Sequence, residues 1–65
     1  MKNFVKEKRL KFNMTQDDLS EKLDVSRQTI ISLEKGRYNP SINLAFKLAK
    51  LFNCPIEDIF IYEED

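Results

Sequence analysis

Three features of the sequence predict an all-α fold, five short helices in one compact domain. No run of residues reads as a central strand. The single glycine, Gly36, and the two prolines, Pro40 and Pro55, stand where helices stop or start. Thr15, Ser26 and Ser41 each precede an apolar-periodic segment, the place a side-chain cap takes.

Taken in order, the first helix runs from about Asn3 to Phe12, with Asn13 suited to the left-handed position that ends it. Thr15 caps a second helix, Gln16 to Leu23, and Asp18 three residues on completes a capping-box start. Leu19 and Leu23 stand i, i+4 on its buried side. After the turn Asp24-Val25-Ser26, Ser26 caps a third helix, Arg27 to Lys35, which Gly36 ends. Residues 37–40 form a loop, and Ser41 caps a fourth helix, Ile42 to Phe52, closed by Asn53. Pro55 suits the first turn of a last short helix reaching about Asp58.

The fourth helix has a wide apolar arc. Ile42, Ala45, Ala49 and Phe52 make one stripe; Leu44, Leu48 and Leu51 make a second; Asn43, Lys47 and Lys50 define the polar strip. Such a helix is buried on more than one side. Either it is the central helix of a five-helix domain, or part of the arc also meets a second subunit. The tail repeats the hint. Ile59-Phe60-Ile61-Tyr62 are bulky and strand-favouring, and a short strand made of them shows apolar groups on both faces, one of which needs a partner. Leu51, Ile59, Phe60, Ile61 and Tyr62 are therefore the candidate dimer interface, within a dimerisation segment of about residues 51–65.

The 65 residues make one domain, 1–65, whose core is marginal in size. A lone cysteine, Cys54, excludes an internal disulfide, and without histidine it makes no familiar zinc site, so no metal or cofactor is expected. Good helix packing, self-association, or both must supply the stability. The opening stretch MKNFVKEKRLKF is charged throughout, with no apolar leader or membrane span, so a cytoplasmic location is expected. On that route the sequon Asn13-Met14-Thr15 is accidental.

A net charge of zero hides an uneven distribution. Residues 1–50 hold all eleven Lys and Arg against six acids; residues 51–65 hold no base and five acids, Glu57, Asp58, Glu63, Glu64 and Asp65. A binding face responds to local potential, so the basic body leaves a polyanionic partner open. There is no Gly-rich phosphate loop, and no paired acid or nucleophile constellation. The terminal carboxylates read as solvated surface and Cys54 as a small buried hydrophobe. An enzyme is not expected.

Two short helices joined by a three-residue turn, residues 16–35, form a helix-turn-helix. At about 100° per residue, Ile30 and Leu33 of the second helix point inward. Gln28, Ile31, Ser32 and Lys35 cluster opposite them, with Arg27 at the edge. Glutamine can pair bidentately with adenine, arginine with guanine, and serine with several base edges; an aliphatic group can cover a thymine methyl. Ile31 fits that last role, or it is simply an isolated exposed apolar residue, which is ordinary.

From Val5 to about Phe60 the chain resembles the lambda-repressor/Cro-type (XRE-type) helix-turn-helix transcriptional regulators. The stretches that carry the likeness are Thr15-Gln16-Asp17-Asp18-Leu19-Ser20, Val25-Ser26-Arg27-Gln28-Thr29-Ile30, Leu33-Glu34-Lys35-Gly36 and Tyr38-Asn39-Pro40-Ser41. Each is weak alone; together, in this order and spacing, they are specific. The nearest likeness is to minimal members that are little more than a DNA-binding domain, some of which dimerise through the last helix and a short terminal strand.

The resemblance implies a lambda-repressor-like fold and roles residue by residue. Gln16 matches a glutamine that holds a phosphate and braces the first reading residue. Arg27, Gln28 and Thr29 match the N-terminal reading positions, and Ser32 a reading position one turn on. Lys35, with Arg37, Tyr38 and Asn39 of the following loop, approaches the DNA backbone. Arg9 and Glu34 match an internal salt bridge between the first and third helices, a structural pair. Three departures concern local geometry: Asp24 stands where glycine is usual, Ser20 where alanine is usual, and Lys8 where an aliphatic is common. With Lys8 there, the first helix is expected to pack through Phe4, Val5 and Phe12.

The expected function is a sequence-specific regulator of transcription, a repressor bound as a homodimer to a pseudo-palindromic operator in double-stranded DNA. No membrane partner and no small-molecule effector are expected. The alternative is an antitoxin or other protein-interaction module of the same fold, motivated by the apolar tail.

Overall fold

The computed structural model describes residues 1–63; the last two acids of the expected acidic end, Glu64 and Asp65, lie outside the described residues. Four helices, α1 (Val5–Lys11), α2 (Gln16–Leu23), α3 (Arg27–Glu34) and α4 (Ile42–Phe52), are followed by one 3-10 turn, Ile56–Asp58. Each of the last three begins on the expected cap. The Thr15 hydroxyl accepts from the Asp18 N–H at 3.0 Å while the Thr15 N–H donates to Asp18 Oδ2 at 2.9 Å, closing a capping box. Ser26 accepts from Thr29 N–H and Ser41 from Leu44 N–H, each at 3.1 Å. Asn13, Asp24 and Asn53 turn the corners in the left-handed region, at φ 57°, 57° and 53°. Asp24 thus fills the position for which glycine is usual.

The Thr15 backbone N–H, then its hydroxyl, hold the Asp18 carboxyl below its ordinary value of 3.8; the charge of Lys22 adds to this and desolvation opposes it. Because the folded value is the lower one, this capping contribution is fully present above pH 3.8 and is lost as pH falls through the folded value. Thermal melts of the wild type and Asp18→Asn should therefore converge on acidification below that pH. Parallel curves would refute the assignment.

Two expectations about the chain's ends are corrected. The fifth helix is a single three-residue 3-10 turn with Pro55 as its N-cap residue. Among the described residues there is no terminal strand; Phe60 makes one isolated antiparallel bridge with Asn3. Hydrogen bonds from Phe4 N to Ile59 O (2.7 Å) and from Ile61 N to Lys2 O (2.9 Å) flank it. The chain leaves this pairing as α1 begins, at Val5 instead of Asn3. The Asn3 side chain accepts from the Val5 N–H at 3.1 Å, taking the capping role just ahead of the helix.

The core consists of Val5, Met14, Leu19, Leu23, Ile30, Leu33, Leu44, Ala45, Leu48, Phe52, Ile59 and Phe60. In α1 the buried positions are Val5, as expected, and Arg9, in place of the expected Phe4 and Phe12. Phe4 is half-buried, and Phe12 keeps 44% of its surface exposed while its ring lies 5.4 Å from that of Phe52. Ser20 is 7% exposed and its hydroxyl donates to Asp17 O at 2.8 Å, so the small residue required there is also satisfied. In α4 the first apolar stripe is broken at its start: Ile42 is 74% exposed, and Phe46 one turn on is 58% exposed. No helix among the described residues is long and apolar enough to cross a membrane.

Candidate nucleic-acid interface

Ile30 and Leu33, both fully buried, anchor α3, and packing of α2 against it sets which side it turns outward. On that side Arg27, Gln28 and Lys35 are exposed, and Thr29, Ile31 and Ser32 are half-buried. Part of the Ile31 surface is thus already covered within its own domain, so it is not a fully exposed apolar residue. The Thr29 hydroxyl lies 2.9 Å from that of Ser26, so this reading candidate is also part of the helix cap. Arg37, Tyr38 and Asn39 are exposed in the loop beyond α3. Gly36, at φ 75°, turns the chain into that loop; a Cβ there would stand 3.0 Å from the Met1 carbonyl oxygen.

Beneath the interface lies a buried polar cluster. Arg9 Nε donates to Glu34 Oε2 at 2.7 Å and Nη2 to Oε1 at 3.4 Å; the two side chains are 8% and 6% exposed. The remaining guanidinium arm donates from Nη1 to Met14 O at 2.9 Å. Gln16 Nε2 donates to the same Glu34 Oε1 at 3.2 Å. Among the described residues no buried side-chain polar atom lacks a partner. The cluster therefore joins α1, the start of α2 and the end of α3 with directional bonds. It also presents Gln16 at the surface with the second proton of its amide nitrogen unassigned, one donor suited to a phosphate oxygen.

A shallow cleft of about 350 Å³ brings Gln16 and Arg27 together, walled by Arg9, Thr15 and Asp17. Arg27 Nε stands 3.8 Å from Asp17 Oδ1, with both side chains mostly exposed, a loose pair that leaves the guanidinium free to turn toward a nucleic acid.

Asn39, expected at the DNA backbone, lines a second hollow of about 300 Å³ with Met1, Pro40, Ile56, Phe60 and Tyr62. Among the candidate interface residues of the tail, Ile59 is fully buried and Phe60 is 9% exposed, because the 3-10 turn folds both back onto the core. Ile61 and Leu51 are half-buried, and Tyr62 is 80% exposed. A surface available to a partner therefore consists of Tyr62, part of Ile61 and the rim of the hollow. Sequence reasoning missed Pro40 and Ile56 on that rim. It also missed Phe46, exposed at i, i+4 from Ile42 of the arc that could meet a second subunit, a spacing that was the available signal.

The family described as helix-turn-helix matches residues 5–59. The chain is similar over its whole length to proteins named as HTH-type transcriptional regulators. It is 63% identical to one from Methanocaldococcus jannaschii, covering 98% of that protein. It is 55% identical to one from Archaeoglobus fulgidus, covering 92%, and 48% identical to one from Bacillus subtilis, covering 98%. With two capped helices locked by the Arg9–Glu34–Gln16 cluster and a polar face turned outward, the chain belongs to the XRE-type helix-turn-helix family of DNA-binding transcriptional regulators.

Proposed function

We propose that the chain is a repressor that binds a pseudo-palindromic operator as a homodimer, with α3 of each copy in a major groove about one DNA turn from the other. The observation that carries this reading is the mixed face of α3, where Gln28, Ile31 and Ser32 lie opposite the fully buried Ile30 and Leu33, with Arg27 and Thr29 flanking them at the N-terminal end. In this reading those five read bases, while Gln16, Lys35, Arg37 and Tyr38 hold the backbone and fix register. Asn39, exposed beside Tyr38, belongs to the same backbone set and also borders the second hollow. Occupying a promoter would then block polymerase or a competing activator.

The test is operator selection from a random duplex library, followed by binding of variants. Gln28→Ala should lose about 1–3 kcal/mol of discrimination at one base pair per half-site. Lys35→Ala should weaken all sequences alike and lower the slope of log K against log salt by about one. An unchanged base preference in Gln28→Ala removes that residue from the reading set.

Dimerisation is supported by the small size of the domain and by the exposed Tyr62 beside an apolar hollow. Light scattering at micromolar concentration should give a dimer for the wild type and a monomer for Tyr62→Asp. A monomeric wild type overturns the dimer mechanism.

A further inference from the structure

Asn3 bonds both to the last turn of α3 and to the tail. Its side-chain amide donates to the Leu33 carbonyl, in the last turn of α3, at 2.8 Å, and to the Met1 carbonyl at 3.2 Å. Its Oδ1 accepts from the Val5 N–H at the start of α1. Its main chain pairs with Phe60, and the neighbouring bonds Phe4 N to Ile59 O and Ile61 N to Lys2 O fasten the same segment along the tail. We infer that Asn3 is a positioning residue that fixes the recognition helix relative to the tail, and through the tail sets the half-site spacing a dimer accepts. This rests on the DNA-reading dimer proposed above.

Ile30 and Leu33 hold α3 by apolar burial, which resists separation but has no preferred direction. The Arg9–Glu34 pair restrains the side facing α1 and α2. Leu33 also shares the core with Ile59 and Phe60, again without a preferred direction, and the Met1 ammonium donates to Gly36 O at 2.9 Å beyond the end of the helix; the bond from Asn3 is directional and falls on α3 itself. A helix's last carbonyls lack intrahelical partners. That of Leu33 is taken by the Gly36 N–H at 3.0 Å and, from 30 residues away in sequence, by Asn3. A directional bond at this point limits rotation of α3 about its buried anchors. Any slack there is passed on to the separation of two recognition helices.

Asn3→Asp is the informative change. A carboxylate keeps the acceptor for the Val5 N–H but offers no donor to Leu33 O. Binding is measured to the selected operator, to operators with one base pair added or removed between half-sites, and to a single half-site. All measurements on a variant use one preparation, so a loss of folded fraction cancels in the ratios. The wild type should prefer its own spacing by about tenfold or more, and Asn3→Asp should reduce that to about two- to threefold with half-site affinity retained. Asn3→Ser, which also cannot reach Leu33 O, should behave in the same way if Asn3→Asp does not fold. An unchanged spacing ratio, or equal weakening on half-site and full site, overturns the inference. A wild type indifferent to spacing overturns the dimer reading instead, and this inference with it, and is recognised without any variant.

Discussion

Glu34→Ala should lower stability by about 3–5 kcal/mol, because it leaves the Arg9 guanidinium buried without its counter-charge. A 65-residue domain has roughly 3–10 kcal/mol in total, so much of the population should unfold at ambient temperature. Urea titration followed by circular dichroism reads the effect directly. Two further losses add to it: Gln16 Nε2 loses its acceptor, and the tie between α1 and α3 goes. The double change Arg9→Met with Glu34→Leu should recover most of the stability, since a pair exchanged for apolar groups of similar size carries no unpaired charge. A midpoint for Glu34→Ala close to that of the wild type would show that water reaches Arg9 and that the cluster is no restraint on α3.

Ile59→Asp should have an effect at least as large, for a different reason. Ile59 is fully enclosed by its own domain, so the substitution buries a carboxylate with no partner, at a cost above about 4 kcal/mol. The protein should fail to fold at any concentration. Tyr62→Asp, three residues on, touches a side chain that is 80% exposed and should leave the melting of the monomer almost unchanged. If Ile59→Asp instead gave a folded monomer, Ile59 would belong to a subunit interface after all and its enclosure here would be misleading.

What the sequence made legible was mostly local. Thr15, Ser26 and Ser41 reveal helix starts because a cap bonds to an N–H within the next turn, and Asn13 and Asn53 reveal helix ends by the same short-range logic. The bounds of α2 and α4 were therefore readable to the residue. The inward side of α3 was readable from the angle between successive side chains, which fixes Ile30 and Leu33 together. What escaped were contacts between the ends. The pairing of Asn3 with Phe60 shortens α1 and limits the tail to a single bridge, and no local pattern encodes a bond between residues so far apart. Ile59 and Tyr62 have similar strand preference, and only the 3-10 turn decides which is enclosed and which is left out. Ile42 was placed in the core by its spacing, yet it sits in the first turn of α4, where little of the domain reaches over it.

Among the described residues, three of the four left-handed corners are made by Asn13, Asp24 and Asn53, and one by Gly36. Each non-glycine corner carries a small conformational strain in the folded state, in return for a disordered chain with fewer backbone states to sample. Exchanging any of the three for glycine would relieve the strain and widen the unfolded ensemble, two effects of opposite sign and similar size. The stiffer unfolded chain leaves less entropy for burial to overcome, which weighs more in a domain this small.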